Sequence, residues 1–390
     1  MRQIGVAERR ARLGLRHHLA RRSGREVTQL AGELCGLHAT DPVTVYLSAR
    51  ARLSGFQPAD LETALYQQRT AIRMMGMRRT MFVVPTVFAP VVHQACTTKI
   101  AQANGKRLAK LIEVNGVTEN GARWLAEVEG KVLAHLELHG EGLAGELSAA
   151  VPELKSKVTV SPGKSYGGEG AVTNRVLTHL AMAGRIVRGK PSGGWTSTRY
   201  RWAALSEWTA EDLERLPAEQ AEADLARAWL RAFGPATADD LMWWAGWTGR
   251  QTQRALTAVG AAEVDLDGRV GWILPDDDDP CPPPDPWVAL LPSLDPTAMG
   301  WTERDFYLGE HRAYLFDRSG NIGPTVWSDG RVVGGWAQRA DGEIRFKLLE
   351  DTGTETRDQV ESAAHELATW LGDTRFNPRF PTPLERDLKL

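Results

Sequence analysis

The sequence predicts an α+β chain in which three tandem modules, each a set of short helices closed by a strand hairpin, precede an antiparallel β domain with a closing helix. Three observations carry that expectation. Helical apolar spacing gives way to strand alternation three times before residue 275. An acidic, proline-rich run then breaks the chain from Asp276 to Pro286. Beyond it, apolar stretches alternate with the turn pairs Ser319-Gly320, Asp329-Gly330 and Asp341-Gly342.

The bulk properties fit that plan. At 390 residues, 42% hydrophobic and 25% charged, the chain is globular and too long for one ordinary core. No apolar run approaches the roughly 18 residues that span a bilayer. The Arg-rich start, Arg9 to Arg25, lacks the apolar stretch and cleavage site of a secretory signal. Cys35, Cys96 and Cys281 are scattered, as suits reduced thiols. The expected location is the cytoplasm. The net charge of −2 conceals a division: residues 1–205 hold 29 Lys and Arg against 15 Asp and Glu, and residues 206–390 hold 18 against 34. Such a split suggests that one half meets a polyanion while the other maintains solubility. Uneven surface composition is the plainer alternative, and charge alone does not separate DNA from RNA or a membrane.

The elements follow in order. Residues 7–22 read as a basic amphipathic helix carrying Leu13, Leu15 and Leu19. Val27–Leu34 and about Val43–Leu53 read as a second and third helix, and Pro58 opens a fourth. Residues 70–85 read as two strands meeting near Gly76. Helices followed by a hairpin make a winged helix, in which the hairpin is the wing. The plan returns with helices at Lys131–Leu138, Leu143–Leu147 and Gly170–Met182, then a hairpin over 185–202. Residues 150–205 carry 9 basic and 2 acidic residues, which suits a third helix in the major groove and a wing on phosphates. A third copy comprises Glu222–Phe233, a helix opened by Thr237, a helix over Thr248–Val259 and a hairpin turning at Asp267-Gly268. It is not basic, and Trp243, Trp244 and Trp247 suit its core or an interface better than base stacking.

The expected divisions are 1–95, a winged helix with the basic N-terminal helix; 96–130, a helical connector; 131–205, the second winged helix; and 206–275, the third. Residues 276–286 form a stiff linker, and 287–390 form the β domain with its helix.

Several chemistries are absent. Gly163-Lys164-Ser165 resembles the end of a phosphate loop, but Val158 stands where the first glycine belongs. Gly168-x-Gly170 lacks the third glycine of a dinucleotide fingerprint. The histidines show no metal-ligand spacing, and His17-His18 are adjacent. No cofactor or metal is expected. Within Cys35-Gly36-Leu37-His38-Ala39-Thr40-Asp41-Pro42, His38 and Thr40 share one side of an extended segment. They read either as polar groups facing a substrate or as ordinary loop chemistry, with Thr40-Asp41-Pro42 capping the next helix and His38 half-buried.

Three segments together resemble one family. Leu37-His38-Ala39-Thr40-Asp41-Pro42, the hairpin from Met77 to Pro85, and Leu290-Leu291-Pro292-Ser293-Leu294-Asp295-Pro296-Thr297-Ala298-Met299-Gly300-Trp301 resemble the bacterial winged-helix DNA glycosylases, the AlkZ-like and YcaQ-like proteins. That resemblance implies three tandem winged helices, a β domain, and hydrolysis of the N-glycosidic bond of N7-alkylated or crosslinked purines. The family's glutamine-aliphatic-glutamine or glutamine-aliphatic-aspartate motif aligns with His38-Ala39-Thr40, and its wing histidine aligns with Phe82. It implies a catalytic set of His38, Thr40 and Asp41. The expected DNA contacts are Arg73, Arg78, Arg79, Lys164, Asn174, Arg175, Arg185, Arg188, Lys190, Arg199 and Arg201. The expected partner is double-stranded DNA, bound by a monomer. A non-catalytic winged-helix regulator or damage sensor is the alternative, and a partner-docking role for the acidic half is a third reading.

Overall fold

The structure, a computed structural model, describes residues 1–160, 167–378 and 381–390. Its contacts divide the chain into two compact units that are not consecutive in sequence. The first gathers residues 1–61, 82–85 and 222–390, and the second holds 62–81 and 86–221.

In the first unit the N-terminal helix is Val6–Arg16, shorter than the expected 7–22. His18 turns the chain at a positive φ of 53°, and Ser23 bridges to Leu53 beyond it. Helix Val27–Glu33 leads through the short strand Leu37–His38 to helix Pro42–Arg52. The Leu37–His38 strand pairs antiparallel with Val83 and Phe82 of strand Met81–Pro85. Helix Ala238–Ala245 begins on the expected capping box at Thr237, and helix Gly249–Ala258 begins on a second one at Thr248. Strands Ala262–Asp265 and Val270–Ile273 form the expected hairpin, turning on Asp267 and Gly268 at φ of 53° and 89°. Both values suit the Asp-Gly pair, whose turn matches the strand twist. Arg2–Gln3 adds a parallel strand to that hairpin. Trp244 and Trp247 are buried, so they belong to the core.

Past residue 286, strands Val288–Leu291, Thr325–Ser328, Arg331–Gln338 and Ile344–Leu348 form one antiparallel sheet in chain order. Helix Gly353–Leu371 packs against its first and last strands, and helix Pro383–Lys389 against its third. Helix Pro42–Arg52 also packs on Val288–Leu291, which explains why it is buried along its whole length.

The acidic run is not a free spacer. Arg12 and Arg16 both pair with Asp277, at 2.9 and 2.5 Å, and Arg12 also donates to the Asp279 carbonyl at 2.7 Å. Arg2 pairs with Asp278 at 3.1 Å. The N-terminal helix therefore spends much of its positive charge inside its own unit.

The second unit centres on helices Thr98–Val114, Gly121–His139 and Thr173–Met182. Gly121–His139 starts ten residues before the expected Lys131, and Thr98–Val114 forms a helix within the segment read as a helical connector. The two meet closely at Gly121, where a Cβ would lie 2.0 Å from the Ala109 carbonyl oxygen. Val128, Val132 and Leu136 recur at four-residue spacing and bury one helical face against Leu147, Val176, Leu177, Leu180 and Trp202. Strand Tyr200–Ala204 lies between Gly142–Leu143 and Ile186–Pro191 in a three-stranded sheet. Gly170, expected in a helix, lies instead in strand Gly168–Ala171, paired with Lys157–Val160. Glycine is a poor helix former, and the β-branched run Val158-Thr159-Val160 supplies the strand partner that sequence reading passed over.

Candidate active site and nucleic-acid interface

The segment 37–41 is held at both ends. Upstream, Leu37 and His38 lie in the pairing with Val83 and Phe82. Downstream, Asp41 accepts a hydrogen bond from the Val43 amide at 3.0 Å and caps helix Pro42–Arg52, with Pro42 in its first turn. Residues 38 and 82 are register partners across the two strands, and their rings meet edge-to-face at 5.2 Å. Two of the positions singled out in the sequence, His38 and Phe82, are thus neighbours in space. His38 is only 3% exposed, Asp41 is buried, and Thr40 is half-buried. Gly36, at a φ of 113°, lets the chain turn in front of Phe82 and Val84, where a Cβ would sit 3.1 Å from both side chains.

Behind this segment lies a polar network that sequence reading missed. Arg52 and Asp295, both fully buried, form a two-pronged ion pair at 2.6 and 2.9 Å. Ser48 donates to the same carboxylate at 2.7 Å, and so does the Thr297 amide at 2.9 Å. These donors hold the Asp295 carboxyl below its usual range against the opposing effect of burial. Arg52 also donates to the Thr297 hydroxyl oxygen at 2.7 Å, and Thr297 Oγ1 lies 2.7 Å from His17 Nδ1. His17 Nε2 lies 3.1 Å from the Ala232 carbonyl oxygen, which can only accept. His17 therefore carries its proton on Nε2 and accepts from Thr297 at Nδ1, and burial pushes its pKa down to about 3. Thr44 donates to the Ser293 carbonyl at 2.8 Å. Asp295 in the Leu290–Trp301 segment was the available signal: a carboxylate within an apolar run requires a buried cation.

Among the described residues, the basic side chains expected to meet DNA belong to the second unit. Asn174 and Arg175 are exposed on the first turn of helix Thr173–Met182 and line an open groove with Asn104, Arg107 and Leu111 of helix Thr98–Val114. Asn104 and Arg107 were not among the expected contacts, although Lys99, Lys106, Arg107 and Lys110 mark that helix as basic in sequence. Arg185 and Arg199 are exposed. Arg79 is exposed and Arg78 half-buried in a tight turn, at positive φ values of 62° and 52°. Lys190 pairs with Glu62 at 2.8 Å, and Arg201 with Glu146 at 3.0 Å, so neither charge is uncommitted. Arg73 departs from the expected surface role: it is 2% exposed, with its guanidinium 4.9 Å from the centre of the Tyr200 ring. Arg188 is half-buried against the same ring. Lys164 lies outside the described residues. Among the described residues, no group of three His, Cys, Asp or Glu side chains is placed to hold a metal ion. No helix among them is long and apolar enough to cross a membrane.

This mixed α+β arrangement corresponds to a known class of DNA-repair protein. The family model described as DNA glycosylase AlkZ-like matches residues 31–370. The chain belongs to the AlkZ-like DNA glycosylase family. A relative described as an interstrand DNA cross-link repair glycosylase, from Streptomyces sahachiroi, is 26% identical over 214 residues. That match spans 52% of this chain and 56% of the relative, a little over half of each. The solved structure of the Streptomyces sahachiroi DNA glycosylase AlkZ shares the fold, with a TM-score of 0.72 at 21% identity, covering 97% of this chain and 99% of that one.

Proposed function

We propose that this chain is a monofunctional DNA glycosylase that hydrolyses the N-glycosidic bond of an N7-alkylated or crosslinked purine in double-stranded DNA. One observation carries the reading: within a chain of this family, His38 and Phe82 stand opposite each other on paired strands, at the start of a capped, buried helix. Rigid elements hold the positions where the family's chemistry resides, which is the preorganisation a hydrolytic site requires. In the reaction, water attacks C1′ as the bond from C1′ to the purine nitrogen breaks. The leaving electron pair neutralises the positive charge that N7 alkylation places on the base. His38 accepts the proton from water, Thr40 orients that water, and Asp41 holds the segment as a cap. The products are a free alkylpurine and an abasic site.

Three winged helices fit the same proposal. Over residues 121–204 the order is helix, strand, helix, a short strand pair, helix and hairpin, with the first strand beside the last. Over 218–273 the order recurs without that short strand pair, with a bridge between Ala236 and Trp272 in the place of the first strand's pairing. Over 27–85 the strand Leu37–His38 again pairs with the last strand. Asn174, Arg175, Arg185 and Arg199 then supply phosphate and groove contacts.

A second reading, a non-catalytic DNA-binding protein on this scaffold, is favoured by the burial of His38 and the cap at Asp41. A single assay separates the two. Duplex DNA carrying N7-alkylguanine is incubated with excess enzyme, and free base and abasic sites are counted. The glycosylase reading expects base release that falls by about 10²-fold or more in His38→Ala, the range for losing a general base. Tight binding without base release by the wild-type chain would leave the non-catalytic reading standing.

A further inference from the structure

Behind one wall of the open groove in the second unit, three helices share a polar contact. Helix Thr98–Val114 supplies Asn104, which lines the groove with Arg107, Asn174 and Arg175. Asn104 Nδ2 lies 3.4 Å from Nδ1 of His179, on helix Thr173–Met182. Nε2 of the same ring lies 3.4 Å from Oε1 of Glu129, on helix Gly121–His139. Gly105 leaves room for the imidazole, since a Cβ there would come within 2.8 Å of its Cε1. The groove has a volume of about 560 Å³, ample for a phosphate group with its sugar.

The pair of titratable groups is set among apolar neighbours. Val128 and Val132 beside Glu129, and Val176 and Leu180 beside His179, are all buried in the core of the unit. Glu129 Oε1 is buried and accepts no hydrogen bond among the described residues, so the His179 ring is the group within reach of it. Helix Thr173–Met182 faces the carboxyl with His179, and Arg185 beyond that helix adds a positive charge. Helix Thr98–Val114 meets the ring with the uncharged Asn104 and Gly105. On its own helix, Glu127 pairs with Arg123 at 2.8 Å and Lys131 pairs with Glu153. Burial raises Glu129 to about 7, against the pull of Arg185, and burial also lowers His179. The pair therefore loses one proton near neutrality.

Two arrangements of that proton follow from the donors and acceptors present. With the carboxyl protonated, its O–H donates to Nε2 and the Nδ1 N–H donates to the amide oxygen of Asn104, which leaves the amide NH2 to the groove. On loss of the proton, the carboxyl proton passes to Nε2 as the Nδ1 proton leaves to solvent. Nε2 then donates to the carboxylate, Nδ1 accepts from the Asn104 NH2, and the amide oxygen turns to the groove. The observed contact between Nδ2 and Nδ1 is the second arrangement. We propose that Asn104 binds a DNA phosphate oxygen in this groove, and that His179 and Glu129 position it by setting whether it offers a donor or an acceptor. The inference rests on the reading of this chain as DNA-binding. Phosphate oxygens only accept, so the protonated arrangement favours binding and the other opposes it.

The test measures the affinity of the full chain for unmodified duplex DNA, by fluorescence anisotropy at constant ionic strength, from about pH 6 to about pH 8.5, a span that brackets the Glu129 titration. Wild-type affinity is expected to fall about threefold to tenfold across that range, the worth of one hydrogen bond. Glu129→Gln carries an amide that donates to Nε2 and does not ionise, so it keeps the acid-range affinity throughout. Asn104→Ala removes the responding group, and its affinity is low and flat with pH. That variant also carries the comparison should the glutamine variant fold poorly. A wild-type affinity indifferent to pH overturns the inference and leaves DNA binding standing. A pH dependence that survives Glu129→Gln or Asn104→Ala undiminished overturns it as well. Absence of DNA binding at every pH overturns the underlying DNA-binding reading, and this inference with it. Base release enters none of these readouts, so failure of the glycosylase reading is seen separately.

Discussion

At position 41 a carboxylate serves a helix start, and an isostere separates that role from chemistry. Asp41 accepts the Val43 amide, a task an asparagine oxygen performs nearly as well. Asp41→Asn is expected to retain the wild-type melting temperature and base release, whereas Asp41→Ala loses roughly 0.5–2 kcal/mol in denaturant unfolding. Loss of activity in the asparagine variant at unchanged stability would place the carboxylate in the reaction. The same neighbourhood contains a second acid with an opposite pH signature. Burial, with the Asp41 charge adding to it, raises Glu385 to about 7. An acid raised in the folded state disfavours folding above about pH 7, and that penalty fades as pH falls towards its unfolded value near 4.5. Glu385→Gln should therefore raise Tm at pH 8 and leave it unchanged near pH 4.5. A gain of equal size at both pH values would assign the effect to packing. At this scale the sequence announced the cap, since Asp-Pro before an apolar run is a helix start, but it could not announce which carboxylates were desolvated.

At the scale of elements, helix contact overrides local propensity at Gly121. Alanine normally stabilises a helix by about 1 kcal/mol relative to glycine. Here its Cβ would meet the Ala109 carbonyl oxygen at 2.0 Å, a backbone atom that cannot step aside. Gly121→Ala is expected to lower Tm, and a rise would mean the two helices separate without cost. Periodicity located most elements because half-buried helices and hairpins write their faces into the sequence. It misplaced others where the writing was ambiguous. The Gly121–His139 helix starts ten residues before the expected Lys131, and Gly168–Ala171 is a strand solely because Lys157–Val160 lies beside it. Strand pairing is a property of two segments, so one segment read alone does not reveal it.

For the whole molecule, the charge division takes on a different meaning. The first unit holds the Arg-rich N-terminus together with the acidic C-terminal half, and Arg2, Arg12, Arg16 and Arg52 are answered there by Asp278, Asp277 and Asp295. Much of the basic excess of residues 1–61 is thus an internal complement. The second unit carries 20 Lys and Arg against 15 Asp and Glu, and its exposed Arg107 and Arg175 make no ion pair among the described residues. Arg175→Gln and Arg107→Gln should each reduce the salt slope of DNA binding by about 1. Arg16→Gln should leave that slope unchanged, because Asp277 already neutralises its charge. Equal effects from all three would return the N-terminal helix to the interface.

The sequence by itself determined the α+β class, the capped helices, the Asp-Gly hairpin turn and the family, because each is written in local spacing or in motif order. Only the tertiary structure decided which arginines remain available, that positions 38 and 82 are partners, and that Arg52 requires Asp295. Those outcomes depend on which distant segments share a desolvated volume. Coulombic and hydrogen-bond energies are set by distance and burial, and neither is ordered along the chain.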